Sequence, residues 1–119
     1  MILTTGAIFM ALAIILGAFG AHALKDSLSP EMMKVYQTGV EYQFNNGLGL
    51  LIIGLIGFHI YSKYIKWSGI LINIGIILFS GSLYLLSITG IRWIGAITPI
   101  GGVSFIAGWI FLVLGIHDR

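Results

Sequence analysis

The charged residues of this chain interrupt it so rarely that they leave four long uncharged stretches, Met1–Leu24, Tyr42–Ser62, Trp67–Ile91 and Trp93–His117, each 21 to 25 residues long. A helix needs about 20 apolar residues to cross a hydrocarbon core of roughly 30 Å. Backbone in lipid must satisfy its hydrogen bonds internally, so such stretches become helices. With 58% hydrophobic and 8% charged residues in 119, a soluble fold of this size could not cover its apolar side chains. The expected architecture is therefore an all-α membrane protein, an antiparallel four-transmembrane-helix bundle forming a single domain. Its helices are predicted over residues 2–24, 30–61, 67–89 and 98–117.

Ala21-His22-Ala23 resembles a signal cleavage site, but no Lys or Arg precedes Lys25 and the apolar run is too long for a signal core. It is read as a retained first helix. Four helices put both termini and the Tyr61–Lys66 loop on one side, side A, and the connections Lys25–Glu41 and Thr89–Thr98 on the other, side B. Lys and Arg in short loops orient such proteins, yet Lys63, Lys66 and Arg119 tie with Lys25, Lys34 and Arg92. The compact basic cluster on side A favours cytoplasmic termini and a multi-pass protein of the cell membrane. Tyr61, Tyr64 and Trp67 on side A, and Tyr36, Tyr42 and Trp93 on side B, read as interfacial anchors.

Ser29-Pro30-Glu31 provides a cap, a first helical residue and an acid at the positive helix end. Glu31, Lys34, Thr38, Glu41 and Asn45 then fall on one helical face, so helix two is expected to begin outside the bilayer and carry a polar stripe inward. A break at Gly39 is the alternative. Thr98-Pro99 repeats the grammar before helix four; a cap at Thr98 is preferred to a kink at Pro99. The two hairpins together suggest a two-plus-two repeat.

Small residues mark close helix approach where lipid removes the hydrophobic force between helices. Gly6, Ala13, Gly17 and Gly20 serve helix one, Gly47 and Gly54 helix two, Ser68, Gly75, Ser82 and Thr89 helix three, and Gly101, Ser104, Gly108 and Gly115 helix four. Their seven-residue spacing points to left-handed crossing near +20°. Rows that face outward would favour a homo-oligomer.

The intramembrane polar residues gather toward side B: His22, Glu41, Asn45, Asn46, Tyr84, Ser87, Thr98 and Ser104. Such groups are costly unless paired and are either interhelical bonds or a site. His22 with Glu41 is the one acid–base couple available, and Asn73, Ser80 and Ser87 form a polar row down helix three. There is no metalloprotease, nucleophile-elbow or nucleotide-loop signature, and the histidines divide between the two sides. No cysteine, metal site or cofactor is expected, and no basic run points to nucleic acid.

Gly17-Ala18-Phe19-Gly20-Ala21-His22-Ala23-Leu24, Tyr42-Gln43, Phe79-Ser80-Gly81-Ser82-Leu83-Tyr84 and Gly95-Ala96-Ile97-Thr98-Pro99-Ile100-Gly101-Gly102 together resemble the domain-of-unknown-function 423 family. That family takes in YwdK/YgdD-like proteins and the transmembrane protein 256 group. The resemblance covers nearly the whole chain and implies a small bacterial inner-membrane protein of four helices with no established reaction. It also implies that His22 belongs to the family's first motif, and that Asn46 stands where the family's pattern places a histidine after Tyr-Gln.

The first functional expectation is a non-enzymatic structural or regulatory membrane module, with membrane lipid, a second copy or another membrane protein as partner. An oligomeric channel or small-solute transporter is the second. An enzyme acting on lipid headgroups at side B, using His22 and Glu41, is the third.

Overall fold

Local chemistry decides where each helix starts and stops. The Ser29 hydroxyl accepts a hydrogen bond from the Met32 N–H at 3.1 Å, and Pro30 follows at a position that has no amide proton to lose. Helix α2 accordingly runs Pro30–Gly57. In this computed structural model, which describes residues 1–118, the remaining helices are α1 Ile2–His22, α3 Lys63–Gly75, α4 Gly81–Thr89 and α5 Thr98–His117. A π-helical segment, Ile76–Ser80, joins α3 to α4 without a break, and a 3-10 turn, Arg92–Ala96, leads into α5. No strand occurs among the described residues. Arg119, counted with side A above, lies outside them.

The observed boundaries depart from the sequence expectation in instructive places. Helix α1 stops at His22 rather than residue 24, and residues 24–28 turn tightly through bonds from Ser27 and Leu28 N–H to the Leu24 carbonyl. Helix α2 stops at Gly57 rather than residue 61, where Phe58 N–H bonds Leu55 O and the chain unwinds. Helix α3 begins four residues earlier than the apolar run at Trp67, because the Ser62 hydroxyl caps it by accepting from Tyr64 N–H at 3.2 Å. Lys63 and Lys66 then lie exposed in its first turns. At the far end, Gly90 adopts φ 71°, the left-handed conformation that closes α4, with its N–H on Leu86 O.

Thr98 does begin α5, but not as a cap. Its hydroxyl shares a 2.5 Å hydrogen bond with Ser82 Oγ on α4, and no side chain caps the helix. The preceding 3-10 turn supplies the backbone entry instead, with Ile97 N–H on Ile94 O.

Helices pack most extensively in sequential pairs, α1 on α2 and α3 on α5, while α2 also lies along α3, the π segment and α4. The result is an elongated, flattened array, 51 × 26 × 17 Å along its principal axes, with α2 inside and α1 at one edge. Leu50, Ile53, Ile65, Ile72, Ile76 and Phe105 form the buried apolar core, toward side A and the middle of the array. Around it the outward faces are large and apolar, among them Ile8, Ile15 and Phe19 on α1 and Ile100, Ile106 and Val113 on α5. A soluble protein could not leave such faces to water; a bilayer solvates them.

Three helical stretches are long and apolar enough to cross a membrane: Ile2–His22, Lys63–Thr89 and Arg92–His117. The sequence expectation was four. Helix α2 falls short because it carries Glu31, Lys34, Glu41, Gln43, Asn45 and Asn46 up to just past its midpoint.

Candidate functional site

The polar residues expected to gather near side B do not form one cluster; the structure divides them into a bonded interior and an exposed set, two of which line an open groove. In the interior, Gln43 of α2 occupies the centre. Its Nε2 donates to the Phe9 carbonyl of α1 at 2.9 Å, and its Oε1 accepts from the Tyr84 hydroxyl of α4 at 2.6 Å. One side chain thus ties three helices together. Tyr36 stacks obliquely on Tyr84, with ring centroids 5.3 Å apart, and its hydroxyl donates to Leu16 O of α1 at 2.6 Å. Tyr36 is 2% exposed, so it is a core residue rather than the interfacial anchor its position suggested.

A second set joins α2 to α5. Asn46, 7% exposed, donates to Tyr42 O within its own helix and accepts from Trp109 Nε1 at 3.0 Å. The Trp109 ring lies where a Cβ on Gly49 would stand, so the missing side chain makes the seat for the indole. Tyr42, Phe79 and Phe105 continue this seam as an aromatic cluster with centroids 4.6 to 6.3 Å apart.

Serines complete the links. Ser80 of the π segment donates to Gly39 O on α2 at 2.7 Å, Ser68 to Gly108 O on α5 at 2.7 Å, and Ser104 to Leu71 O on α3 at 2.6 Å. Ser87 donates back to Tyr84 O in its own helix. Among the described residues, every buried side-chain nitrogen and oxygen has a partner. The row Asn73, Ser80, Ser87 is not a connected track: Asn73 donates to Gly69 O and Ser87 to Tyr84 O, while Ser80 turns to α2.

Close backbone approach makes these bonds reachable. A Cβ at Gly20 would collide with the Tyr36 ring, at Gly54 with Leu3, at Gly75 with Phe105 and at Gly108 with Ile72. Gly101 is the tightest in kind, because the obstacle is the backbone nitrogen of Phe79 itself. Gly17 and Gly47 sit in ordinary contact with α2 and α1 side chains respectively. Ser82, placed in the same packing row, acts through its bond to Thr98.

His22, Glu41 and Asn45 behave differently: all three are exposed, and none takes part in a side-chain hydrogen bond among the described residues. Glu41 and Asn45 line a groove of about 280 Å³ between α1 and α2, floored by Gly17, Gly20 and Val40; its wall includes Ala21 but not His22. The groove opens on the outer surface. No group of three His, Cys, Asp or Glu side chains able to hold a metal ion occurs among the described residues.

Gln43, Tyr36 and Trp109 are among the bonded residues not placed in the site from sequence, as are Ser68, Ser80 and Ser82, which sequence assigned to packing or to the helix-three row. Gln43 alternates with Glu41 and Asn45 along α2, and its helical phase, turned away from the charged stripe, was the available signal.

Comparison with known proteins agrees with the apolar, membrane-suited exterior. A family model described as protein of unknown function (DUF423) matches residues 16–102. The chain is 50% identical over 109 residues to a UPF0382 membrane protein of Staphylococcus epidermidis, covering 92% of this chain and 88% of that protein. It is 44% identical over 110 residues to the UPF0382 membrane protein YwdK of Bacillus subtilis, covering 92% and 89%. To the UPF0382 inner membrane protein YgdD of Escherichia coli strain K12 it is 40% identical over 111 residues, covering 93% and 82%. No solved structure matches. The chain belongs to the DUF423 family and is a membrane protein.

Proposed function

We propose that this DUF423 family member is a non-enzymatic membrane module, four helices crossing the bilayer, that stabilises or regulates other membrane components. The observation carrying this reading is that the interior polar groups are all spent on interhelical and backbone hydrogen bonds. An active site or solute pathway needs polar groups free to meet a substrate. Here the unpaired polar groups Glu41, Asn45 and His22 are on the outer surface.

The four-span arrangement rests on the length of α2. Its 28 residues extend about 42 Å at 1.5 Å per residue, enough to cross the core and protrude beyond it with Glu31, Lys34 and Glu41 near the side B headgroups. The polar side chains deeper in α2, Gln43 and Asn46, are bonded to α1, α4 and α5, which relieves the cost of placing them in hydrocarbon. Sequential pairing of α1 with α2 and α3 with α5 favours a two-plus-two hairpin arrangement, and the exposed Lys63 and Lys66 favour cytoplasmic termini. The cell membrane, in the plasma or inner-membrane sense, is the location this implies. Partners would be lipid, a second copy, or another membrane protein meeting the flat outer faces.

Affinity purification of the tagged chain from native membranes tests the module reading: a reproducible protein or lipid partner is expected. Recovery of none, or flux of ions or small polar solutes through reconstituted liposomes above that of empty vesicles, would overturn it.

A further inference from the structure

At the opposite end from the polar network, the start of α1, the end of α2 and the start of α3 enclose a groove of about 530 Å³. This volume lies within the range of roughly 300–1,000 Å³ typical of small-molecule sites. Its walls are apolar, with Leu3, Ile53, Ile65 and Ile70 among them, and its rim carries Lys66 and Ser62. No Asp or Glu lines it, and none occurs in the sequence between Glu41 and Asp118. An apolar trough with the Lys66 ammonium on its rim, Met1 also in its lining and no acid lining it among the described residues is complementary to an amphiphile with an anionic head. The surroundings fit the same depth: Tyr61 is fully exposed, Trp67 is half exposed, and aromatic and Lys side chains together mark the headgroup boundary.

We propose that this groove holds one anionic phospholipid, its acyl chain against Leu3, Ile53 and Ile70 and its phosphate on the Lys66 ammonium. The neighbouring Lys63 is differently placed, with Nζ 5.5 Å from the centroid of the Tyr64 ring and outside the groove lining. The site therefore distinguishes two lysines three residues apart. It stands independently of the module reading, since a channel or an enzyme could hold the same lipid.

The test uses the full chain, delipidated in detergent, exposed to equal amounts of phosphatidylglycerol and phosphatidylcholine of matched chain length, with bound lipid counted by native mass spectrometry. About one phosphatidylglycerol per chain is expected, retained about fivefold over phosphatidylcholine, the ratio that roughly 1 kcal/mol per interfacial Lys implies. Lys66→Gln should bring the two lipids near parity, whereas Lys63→Gln should keep most of the preference. Gly57→Phe should reduce retention of both lipids, because a Cβ there meets only Ile65 at 3.7 Å and the ring can enter the groove. Equal retention of both lipids by the unaltered chain would overturn the proposal. So would equal effects of the two lysine substitutions, which would mean surface charge alone, or a groove found filled by a second copy of the chain. Circular dichroism of each variant separates loss of lipid from loss of fold, and Lys66→Gln, at an exposed position, decides the matter if Gly57→Phe unfolds.

Discussion

The two ends of the helical array are held together by different means. Toward the termini, α2 and α3 meet through Leu50, Ile53, Ile65 and Ile72, side chains that offer shape, while the buried hydrogen bond from Ser68 to Gly108 O ties α3 to α5. Toward the opposite end α1, α2, the π segment, α4 and α5 meet through Gln43, Tyr36, Tyr84, Ser80, Ser82 and Thr98, side chains that offer direction. In water the apolar end would be the stronger, because burying hydrocarbon drives folding. In lipid that force is absent between helices, and close packing and hydrogen bonds remain. The difference teaches that the apolar end depends chiefly on volume and the polar end chiefly on pairing.

Substitutions can break or sharpen this contrast. Gly101→Leu should do the most damage, at about 3 kcal/mol or more, since its obstacle is Phe79 backbone and cannot rotate away. Loss of monodisperse protein in size-exclusion chromatography would report it; a well-folded Gly101→Leu would show that α5 does not approach the π segment so closely. Ile72→Ala, at the fully buried centre of the apolar end, should cost roughly 2–4 kcal/mol in a reversible detergent unfolding titration. Changing a neighbouring polar group should recover none of it.

Gln43→Leu should cost about 1–3 kcal/mol, because the partly buried Tyr84 hydroxyl is left unpaired. Here the contrast is most exposed: adding Tyr84→Phe should recover much of the loss, since removing both partners of a bond is nearly neutral. A double-mutant cycle with no coupling between positions 43 and 84 would mean that the polar end is packed like the apolar end. Thr98→Ala should have the smallest effect, about 0.6 kcal/mol, the usual worth of a hydrogen bond between membrane helices. A cost above that of Gln43→Leu would relocate the principal link from the centre of the array to the α4–α5 turn.

How far these features could be read from sequence follows from which physical effect sets each one. The helical class follows from spacing between charges, and the start of α2 follows from Ser29-Pro30, because both depend on neighbours in the chain. The start of α3 was misplaced because the apolar run at Trp67 is a louder pattern than a single capping serine at Ser62. Tyr36 was misread because an aromatic near a helix entrance is common at bilayer surfaces, whereas its burial is decided by the bare backbone of Gly20 on another helix. The split of the polar residues between a bonded interior and an exposed set was hidden for the same reason. Asn45 and Asn46 are adjacent and chemically identical, and only the neighbour each one faces, the groove for one and Trp109 for the other, tells them apart.

The π segment carries a consequence for how the third long helix serves its neighbours. One residue inserted into an α-helix advances everything after it by about 100° around the axis. Ile76–Ser80 therefore acts as a phase offset between two rods joined end to end. Ser68 before the offset meets α5, Ser80 within it meets α2, and Ser82 just beyond it meets α5 again. Seven-residue counting from Ser68 through Gly75 to Ser82 still finds α5 on either side of the offset, and Thr89, at the exposed end of α4, is the member that drops out. Deleting a single residue there would leave α3 in place while turning α4 away from Gly39, Gln43 and Thr98 together.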